Sequence, residues 1–158
     1  MSADKLLDTY NSLTESLSLP ADEVNKSAKL LAEAPESGFI TKKMRLEAIV
    51  AHPNYSRETY EMLLRFFEPE TLTALDTNII HMLISYENVK LEDVKTLHTY
   101  AETSGNAEWF SRVVMKTIEL NEYQLGLTYN GASVFHDRDL RERLIYTIAL
   151  LKEFQQGA

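Results

Sequence analysis

Cysteine is absent from the 158 residues of this chain, and proline and glycine are scarce, with four and five copies. The lack of cysteine excludes disulfide scaffolds, thiol nucleophiles, iron–sulfur clusters and cysteine-based zinc sites. Because proline and glycine interrupt helices, their scarcity favours long helical elements. A chain of this length buries roughly two-thirds of the surface that it exposes when unfolded, so its core needs no disulfide or metal.

An excess of positive charge and a long hydrophobic run are missing as well. Lys and Arg total 16 and Asp and Glu 24, which gives a formal net charge of −8 at pH 7. A chain of this sign is repelled by phosphate, which disfavours general binding to nucleic acid or anionic lipid. No segment reaches the roughly 18 apolar residues of a membrane span, and Met1–Tyr10 lacks the apolar run of a secretory signal. We therefore expect a soluble, cytoplasmic protein without a membrane partner.

Apolar residues recur at helical spacing along almost the whole chain, which predicts an all-α fold of about seven to nine helices. Residues that favour helix starts precede several of these segments, namely Ser2, Thr41, Ser56, Asn106 and Asp137. A weaker, separate helix is predicted for Asn121 to Tyr129. The C-terminal core is expected to contain Trp109, Phe110, Val113, Val114, Ile118, Leu144 and Ile148.

Residues 47–66 and 81–100 align at an offset of 34 residues. The alignment superimposes a helix break, a first-turn acid and an apolar position, in the pairs Asn54/Asn88, Glu58/Glu92 and Leu63/Leu97. A period in the thirties predicts stacked antiparallel helical hairpins, as in a short α-solenoid, with an irregular helical bundle as the alternative. We predict one domain over 1–158, in which a helical pair, two hairpin repeats and the C-terminal helices occupy 1–35, 39–103 and 106–154.

The segment Leu46-Glu47-Ala48-Ile49-Val50-Ala51-His52-Pro53-Asn54, with the capped apolar helix after it, resembles one unit of the leucine-rich-repeat-variant family. In that family, as in HEAT-like proteins, short α-helical units repeat, and a His-Pro-Asn-like corner joins two helices. The resemblance covers residues 46–66. It implies a helical-repeat architecture, and it transfers no activity to this chain, because the family's cysteine cluster is absent here.

Catalytic motifs are also missing: there is no phosphate-binding glycine loop, no G-x-S-x-G and no H-E-x-x-H. The pair His136-Asp137 resembles the metal-binding pair of HD-type phosphohydrolases, but no later Asp can join it from a separate helix. His52, His81 and His98 are interpreted as corner or core-edge residues. We predict no enzyme, no cofactor and no metal site, with a small all-α metal-dependent hydrolase as one alternative.

Five cations fall within twenty residues: Lys26, Lys29, Lys42, Lys43 and Arg45. If their side chains came close together, they could bind a phosphate near the start of the third helix. A nucleic-acid-binding module that uses this basic patch is therefore the second alternative, and a solvated basic face is the simpler interpretation.

Tyrosine, with eight copies, outnumbers phenylalanine and tryptophan, and tyrosine is favoured at protein interfaces. Two of these tyrosines lie at the ends of the aligned hairpins, beyond the positions that form the core, and glutamates flank them. This pattern predicts a non-enzymatic protein–protein interaction module: an adaptor, inhibitor or assembly factor, for example a phage-encoded modulator of a host protein. We predict that it binds a partner with a basic surface through Tyr86, Tyr100, Glu87, Glu92 and Glu102.

Overall fold

The structure of the chain is a computed structural model that describes residues 2–35, 38–66, 76–129 and 138–157. Within these ranges the predicted all-α fold is confirmed, since helices account for 80% of the residues and none lies in a strand. The described ranges contain eight helices: α1 (Ala3–Glu15), α2 (Ala21–Glu33), α3 (Lys42–Ala51), α4 (Arg57–Phe66), α5 (Thr77–Ile84), α6 (Leu91–Thr103), α7 (Ala107–Thr128) and α8 (Arg138–Gly157). None of these helices is long and apolar enough to cross a membrane.

Side chains cap the helices at several of the predicted positions. Ser2, Thr41 and Ser56 each place a hydroxyl oxygen 3.2 to 3.5 Å from a backbone N–H three residues further on. At the start of α6 the backbone N–H of Lys90 donates to the Asp93 carboxylate at 2.8 Å. Each contact satisfies a donor that a helix end leaves unpaired, so the starts of these four helices follow from local sequence. The predicted cap Asp137 lies outside the described residues.

The prediction of a separate helix from Asn121 to Tyr129 is wrong, because α7 runs without a break from Ala107 to Thr128. Thr117, Asn121 and Thr128 are all buried. Their spacings of four and seven residues continue a single helical face toward the interior. Packing of that face thus outweighs the weak helical preference of asparagine and threonine.

The helices form two compact units, Met1–Phe67 and Glu68–Ala158. In the first unit α2 contacts the three other helices, and α1 also contacts α3. In the second unit α7 contacts the three other helices, and α6 also contacts α8. These contacts join helices that are adjacent or next-but-one in the chain, but the pairs α3/α4 and α5/α6 of the predicted hairpin repeats are not among them, so stacked hairpins stay a prediction. The boundary falls between the two predicted hairpin repeats, and their union in one domain stays a prediction.

Long-range side-chain hydrogen bonds within each unit span close to the predicted period. In the first unit the Thr59 hydroxyl donates to Asn25 Oδ1 at 2.7 Å, across 34 residues. In the second unit Trp109 Nε1 donates to the Thr77 hydroxyl at 2.9 Å, across 32 residues. Both bonds connect one helix pair to the next, which agrees with a unit of two helices.

The predicted core is buried. All seven residues expected in the C-terminal core are buried, from Phe110 at 0% exposure to Trp109 at 9%. The apolar positions that the 34-residue alignment superimposes are fully buried too, in the pairs Ile49/Leu83, Leu63/Leu97 and Tyr60/Val94. The alignment therefore pairs positions that are buried in both units.

Candidate interaction surface

The His-Pro-Asn corner between α3 and α4 holds the loop between α1 and α2. Because His52 Nδ1 accepts the backbone N–H of Asn54 at 3.1 Å, the ring proton lies on Nε2, which donates to the Ser16 carbonyl at 2.9 Å. The Asn54 side-chain N–H groups donate to the carbonyls of Leu17 and Leu19, both at 3.0 Å. Both ring nitrogens of His52 are thus engaged by backbone, as expected for a corner residue.

His81 is a half-buried histidine of the second unit that contacts a hydroxyl. The Thr117 hydroxyl donates to the Val113 carbonyl at 2.8 Å, so it accepts from His81 Nδ1–H at 2.9 Å. Burial lowers the pKa of His81 below its usual 6.5. The ring is therefore a neutral donor in a packed setting, in keeping with its interpretation as a core-edge residue.

His98 lies among aromatic rings. It stacks on Phe110 with ring centroids 5.7 Å apart and meets Phe154 edge-on at 5.3 Å. Its Nδ1 is 3.5 Å from a carboxylate oxygen of Glu102. Across residues 2–35, 38–66, 76–129 and 138–157, no cluster of three or more His, Asp or Glu side chains is placed to hold a metal ion. His136 lies outside those ranges.

Arg45 does not belong to an exposed basic patch, and its inclusion there is wrong. The side chain is 1% exposed, and its guanidinium donates to the carbonyls of Leu31 at 2.7 Å and Ala34 at 3.0 Å. These carbonyls lie at the C-terminal end of α2, where a helix leaves acceptors unpaired. Arg45 is buried because it satisfies them with charge-assisted hydrogen bonds.

The four lysines of the predicted patch keep contact with solvent, and other side chains contact Lys26, Lys29 and Lys42. Two form ion pairs of 3.5 Å with carboxylates, Lys26 with Glu23 and Lys29 with Glu58. Lys42 Nζ lies 5.6 Å from the centre of the Phe66 ring, and Lys43 is half-buried. The paired carboxylates reduce the positive potential on which phosphate binding depends.

The residues predicted to bind a partner fall into two groups at opposite ends of α6. Tyr86 and Glu87 lie just before the helix and Glu92 in its first turn, whereas Tyr100 and Glu102 lie in its last turn. At 1.5 Å per residue, Tyr100 is about 14 Å along the axis from the first residue of α6. Both tyrosines are half-buried and the three glutamates are exposed. The structure therefore does not bring the two tyrosines into one aromatic centre.

A groove lies beside the first of these groups, between the segment 87–92 and one side of α8. It consists of two concavities of about 370 Å³ each, which meet at Tyr146. We call it the Tyr146 groove. Its Leu150 pocket is lined by Lys90, Leu91, Glu92, Tyr146, Ala149, Leu150 and Glu153. Its Asp139 pocket is lined by Glu87, Asn88, Asp139, Glu142, Arg143 and Tyr146.

Tyr146 is fixed at the middle of this groove. Its hydroxyl donates to the Val89 carbonyl at 3.0 Å, and the residue is 50% exposed. A hydrogen bond at the ring's far end restricts its rotation while the ring remains accessible, so the aromatic surface is already ordered before any ligand arrives.

Acidic side chains predominate in the lining of the Tyr146 groove. Two cations, Lys90 and Arg143, lie among five carboxylates, those of Glu87, Glu92, Asp139, Glu142 and Glu153. This excess of negative charge creates a potential that attracts cationic groups and repels anionic ones. The composition of the lining therefore favours cationic over anionic groups, although Arg138 already pairs with Glu142 at 3.0 Å.

Sequence reasoning missed Tyr146 and the whole α8 side of the groove. The signal was present: the apolar core stripe of α8 passes through Leu144, Ile148 and Leu151, and Tyr146 lies off that stripe. Asp139 and Glu153 share the face of Tyr146, each seven residues away. What no local pattern shows is that the segment 87–92 packs beside this face, and that contact makes the surface concave.

Comparison with known proteins adds nothing to this geometry. No family model, no curated protein and no solved structure matches the chain. The resemblance of residues 46–66 to a leucine-rich-repeat-variant unit therefore rests on those residues alone.

Proposed function

We propose that this chain is a non-enzymatic protein-binding module that takes a basic partner in the Tyr146 groove. The observation that supports the proposal is the lining of the groove, with five carboxylates and two cations around a half-exposed aromatic ring. Protein interfaces are commonly built from such an aromatic centre with a polar rim. Adaptor, inhibitor and assembly-factor roles, and a cytoplasmic location, belong to the same proposal.

The two kinds of side chain in the groove have different tasks in this proposal. Tyr146 supplies contact area at low entropic cost, because its hydroxyl is already bound to the Val89 carbonyl. The carboxylates steer a basic partner toward the groove and disfavour an acidic one, since exposed charges act mainly on association rate and specificity.

The proposal keeps three of the five residues predicted from the sequence. Glu87 and Glu92 line the groove, and Tyr86 directly precedes Glu87. Tyr100 and Glu102 lie at the other end of α6, and the Glu102 carboxylate is next to His98 there. We assign the binding face to the beginning of α6 and to α8.

The experiment is a titration of a fluorescein-labelled oligolysine with the protein, followed by anisotropy at low and at moderate salt. A first variant neutralises three carboxylates of the groove, by Glu87→Gln, Glu142→Gln and Glu153→Gln. Three exposed ion pairs at a few tenths of a kcal/mol each amount to about a tenfold loss of affinity. Binding by the unmodified protein should weaken steeply with salt, because the contacts are electrostatic.

A matched control removes the same charge from exposed positions on α1 and α2, by Asp8→Asn, Glu15→Gln and Glu33→Gln. It reduces the net negative charge by the same amount and should change affinity about twofold or less, because these exposed carboxylates do not line the groove and salt screens their effect on it. Equal losses in both variants would show that oligolysine senses only overall charge, and the proposed groove would be wrong.

The same preparations test the two alternatives. Stoichiometric manganese, iron or zinc in the purified protein would favour the hydrolase. Salt-sensitive binding of a nucleic acid that is lost when Lys26 and Lys29 are replaced by Gln would favour the nucleic-acid-binding module. Both outcomes would count against the groove as the principal site.

A further inference from the structure

The two pockets of the Tyr146 groove are built from the same four positions of α8, one heptad apart. The Asp139 pocket takes Asp139, Glu142, Arg143 and Tyr146 from this helix, and the Leu150 pocket takes Tyr146, Ala149, Leu150 and Glu153. Each member of the first set lies seven residues before a member of the second. Seven helical residues rise about 10.5 Å, so the pockets follow each other along α8 at that distance.

The Leu150 pocket suits a side chain with an apolar stem and a cationic head. Leu91, Ala149 and Leu150 give it apolar walls, and the carboxylates of Glu92 and Glu153 lie in the same lining. Lysine and arginine bury their methylene groups along apolar surface while the charged end stays near solvent and counter-charges. A cationic side chain therefore matches both parts of this pocket.

The Asp139 pocket suits a second cation. Glu87, Asp139 and Glu142 supply three carboxylates to it, beside Asn88 and Arg143. A guanidinium carries five N–H donors in one plane and can contact several carboxylate oxygens together. Arg143 and Arg138, whose Nε lies 3.0 Å from Glu142 Oε1, offset two of the three negative charges, so a single added cation matches the one that remains.

The spacing of the pockets selects the conformation of the partner. In an extended chain, residues that point to the same side lie about 6.6 or about 13 Å apart, and neither distance equals the pocket spacing. In an α-helix, residues i and i+7 lie on the same face and about 10.5 Å apart. The residue between them, at i+3 or i+4, then falls opposite the ring of Tyr146.

We infer that the Tyr146 groove binds an amphipathic helical segment of a partner protein that carries basic residues at i and i+7 and an apolar residue between them. The inference rests on the proposed function, because it names the partner's form at the same groove. Helices that dock in grooves commonly use anchors at i, i+3 or i+4, and i+7. The excess of carboxylates in the groove favours a basic segment over an acidic one.

The test uses two alanine-rich helical peptides of identical composition, each with one Arg, one Lys and one Leu. In the heptad peptide the cations are seven residues apart, and in the offset peptide they are five apart, which turns them to different faces of the helix. Circular dichroism first confirms that both are equally helical. We expect the heptad peptide to bind about tenfold tighter, because it fills both pockets and contacts Tyr146 at the same time.

Double-mutant cycles then assign each cation to a pocket. In a peptide whose Arg contacts the Asp139 pocket, replacing that Arg by Gln should reduce affinity less for the Glu142→Gln variant than for the unmodified protein. Replacing the Lys should likewise reduce affinity less for the Glu153→Gln variant. The Asp8→Asn variant on α1 is the control, and it should leave both peptide effects unchanged.

Equal affinity of the heptad and offset peptides would overturn the helical partner. If oligolysine binding still depends on the groove carboxylates in that case, the proposed function stands and only this inference fails. If oligolysine binding does not depend on them, both fail together.

Discussion

Removing the indole of Trp109 is the sharpest test of the second unit's core. The ring is 9% exposed, it meets Phe110 edge-on with centroids 6.5 Å apart, and its Nε1–H donates to the Thr77 hydroxyl at 2.9 Å. Truncation of a buried Trp to Ala costs about 3–5 kcal/mol. Within that loss, the hydrogen bond accounts for about 1 kcal/mol and the aromatic contact for about 0.5–1.5 kcal/mol.

Two variants separate these contributions. Trp109→Ala removes packing and hydrogen bond together, so the free energy of unfolding should fall by about 3–5 kcal/mol. Thr77→Val keeps the shape but removes the acceptor of the indole N–H from a bond that is only partly buried, so about 0.5–1.5 kcal/mol should be lost.

Urea denaturation followed by far-ultraviolet circular dichroism is the appropriate assay. Trp109 is the only tryptophan, so fluorescence reports on Thr77→Val and on the unmodified protein but not on Trp109→Ala. Agreement of the two signals in the unmodified protein would show that the second unit unfolds together with the rest. A loss below about 1 kcal/mol for Trp109→Ala would refute the reasoning, because a change that small is typical of a surface position.

Three further substitutions have definite expected outcomes. Burial lowers the pKa of His81 below 6.5 in the folded protein, so the unfolded chain binds the proton more readily. The free energy of unfolding should therefore decrease as the pH falls below about 6.5. In a pH series of urea denaturations, His81→Gln should make this decrease smaller. Asn121→Leu should raise the free energy of unfolding by about 1 kcal/mol or more, because Nδ2 is buried without a hydrogen-bond partner; a decrease would show that the amide is needed. Asn54→Ala should lower it by about 1–2 kcal/mol through loss of the two bonds to loop carbonyls, and an unchanged urea midpoint would show that solvent replaces them.

Local pattern was sufficient for the starts of several helices and insufficient for the length of α7 and for the surface. Thr41 could be identified as a cap because capping involves only the next three residues. Arg45 could not be told from an exposed cation, because the carbonyls that bury it belong to α2 and come close only through tertiary packing. Asn121 was misread for the same reason, since its burial depends on what α7 packs against.

The candidate site likewise contains residues that the sequence identified and residues that only tertiary packing reveals. Glu87 and Glu92 were identified from sequence as part of an acidic rim, because both lie close to Tyr86 in the chain. Tyr146 is 57 residues from Val89, the acceptor of its hydroxyl. Only the packing of α8 beside the start of α6 brings these residues together, and the repeat alignment did not extend to α8.

The corner formed by His52 and Asn54 recognises its loop through main-chain oxygens alone. All three acceptors are carbonyls, of Ser16, Leu17 and Leu19, and every amino acid presents the same carbonyl. Variation should therefore be distributed very unevenly over this contact. In a saturation library scored for folding, most replacements of the exposed Leu17 should survive, whereas those of His52 and Asn54 should be strongly depleted. The loop side of this contact would then tolerate many amino acids, while the corner side would tolerate few.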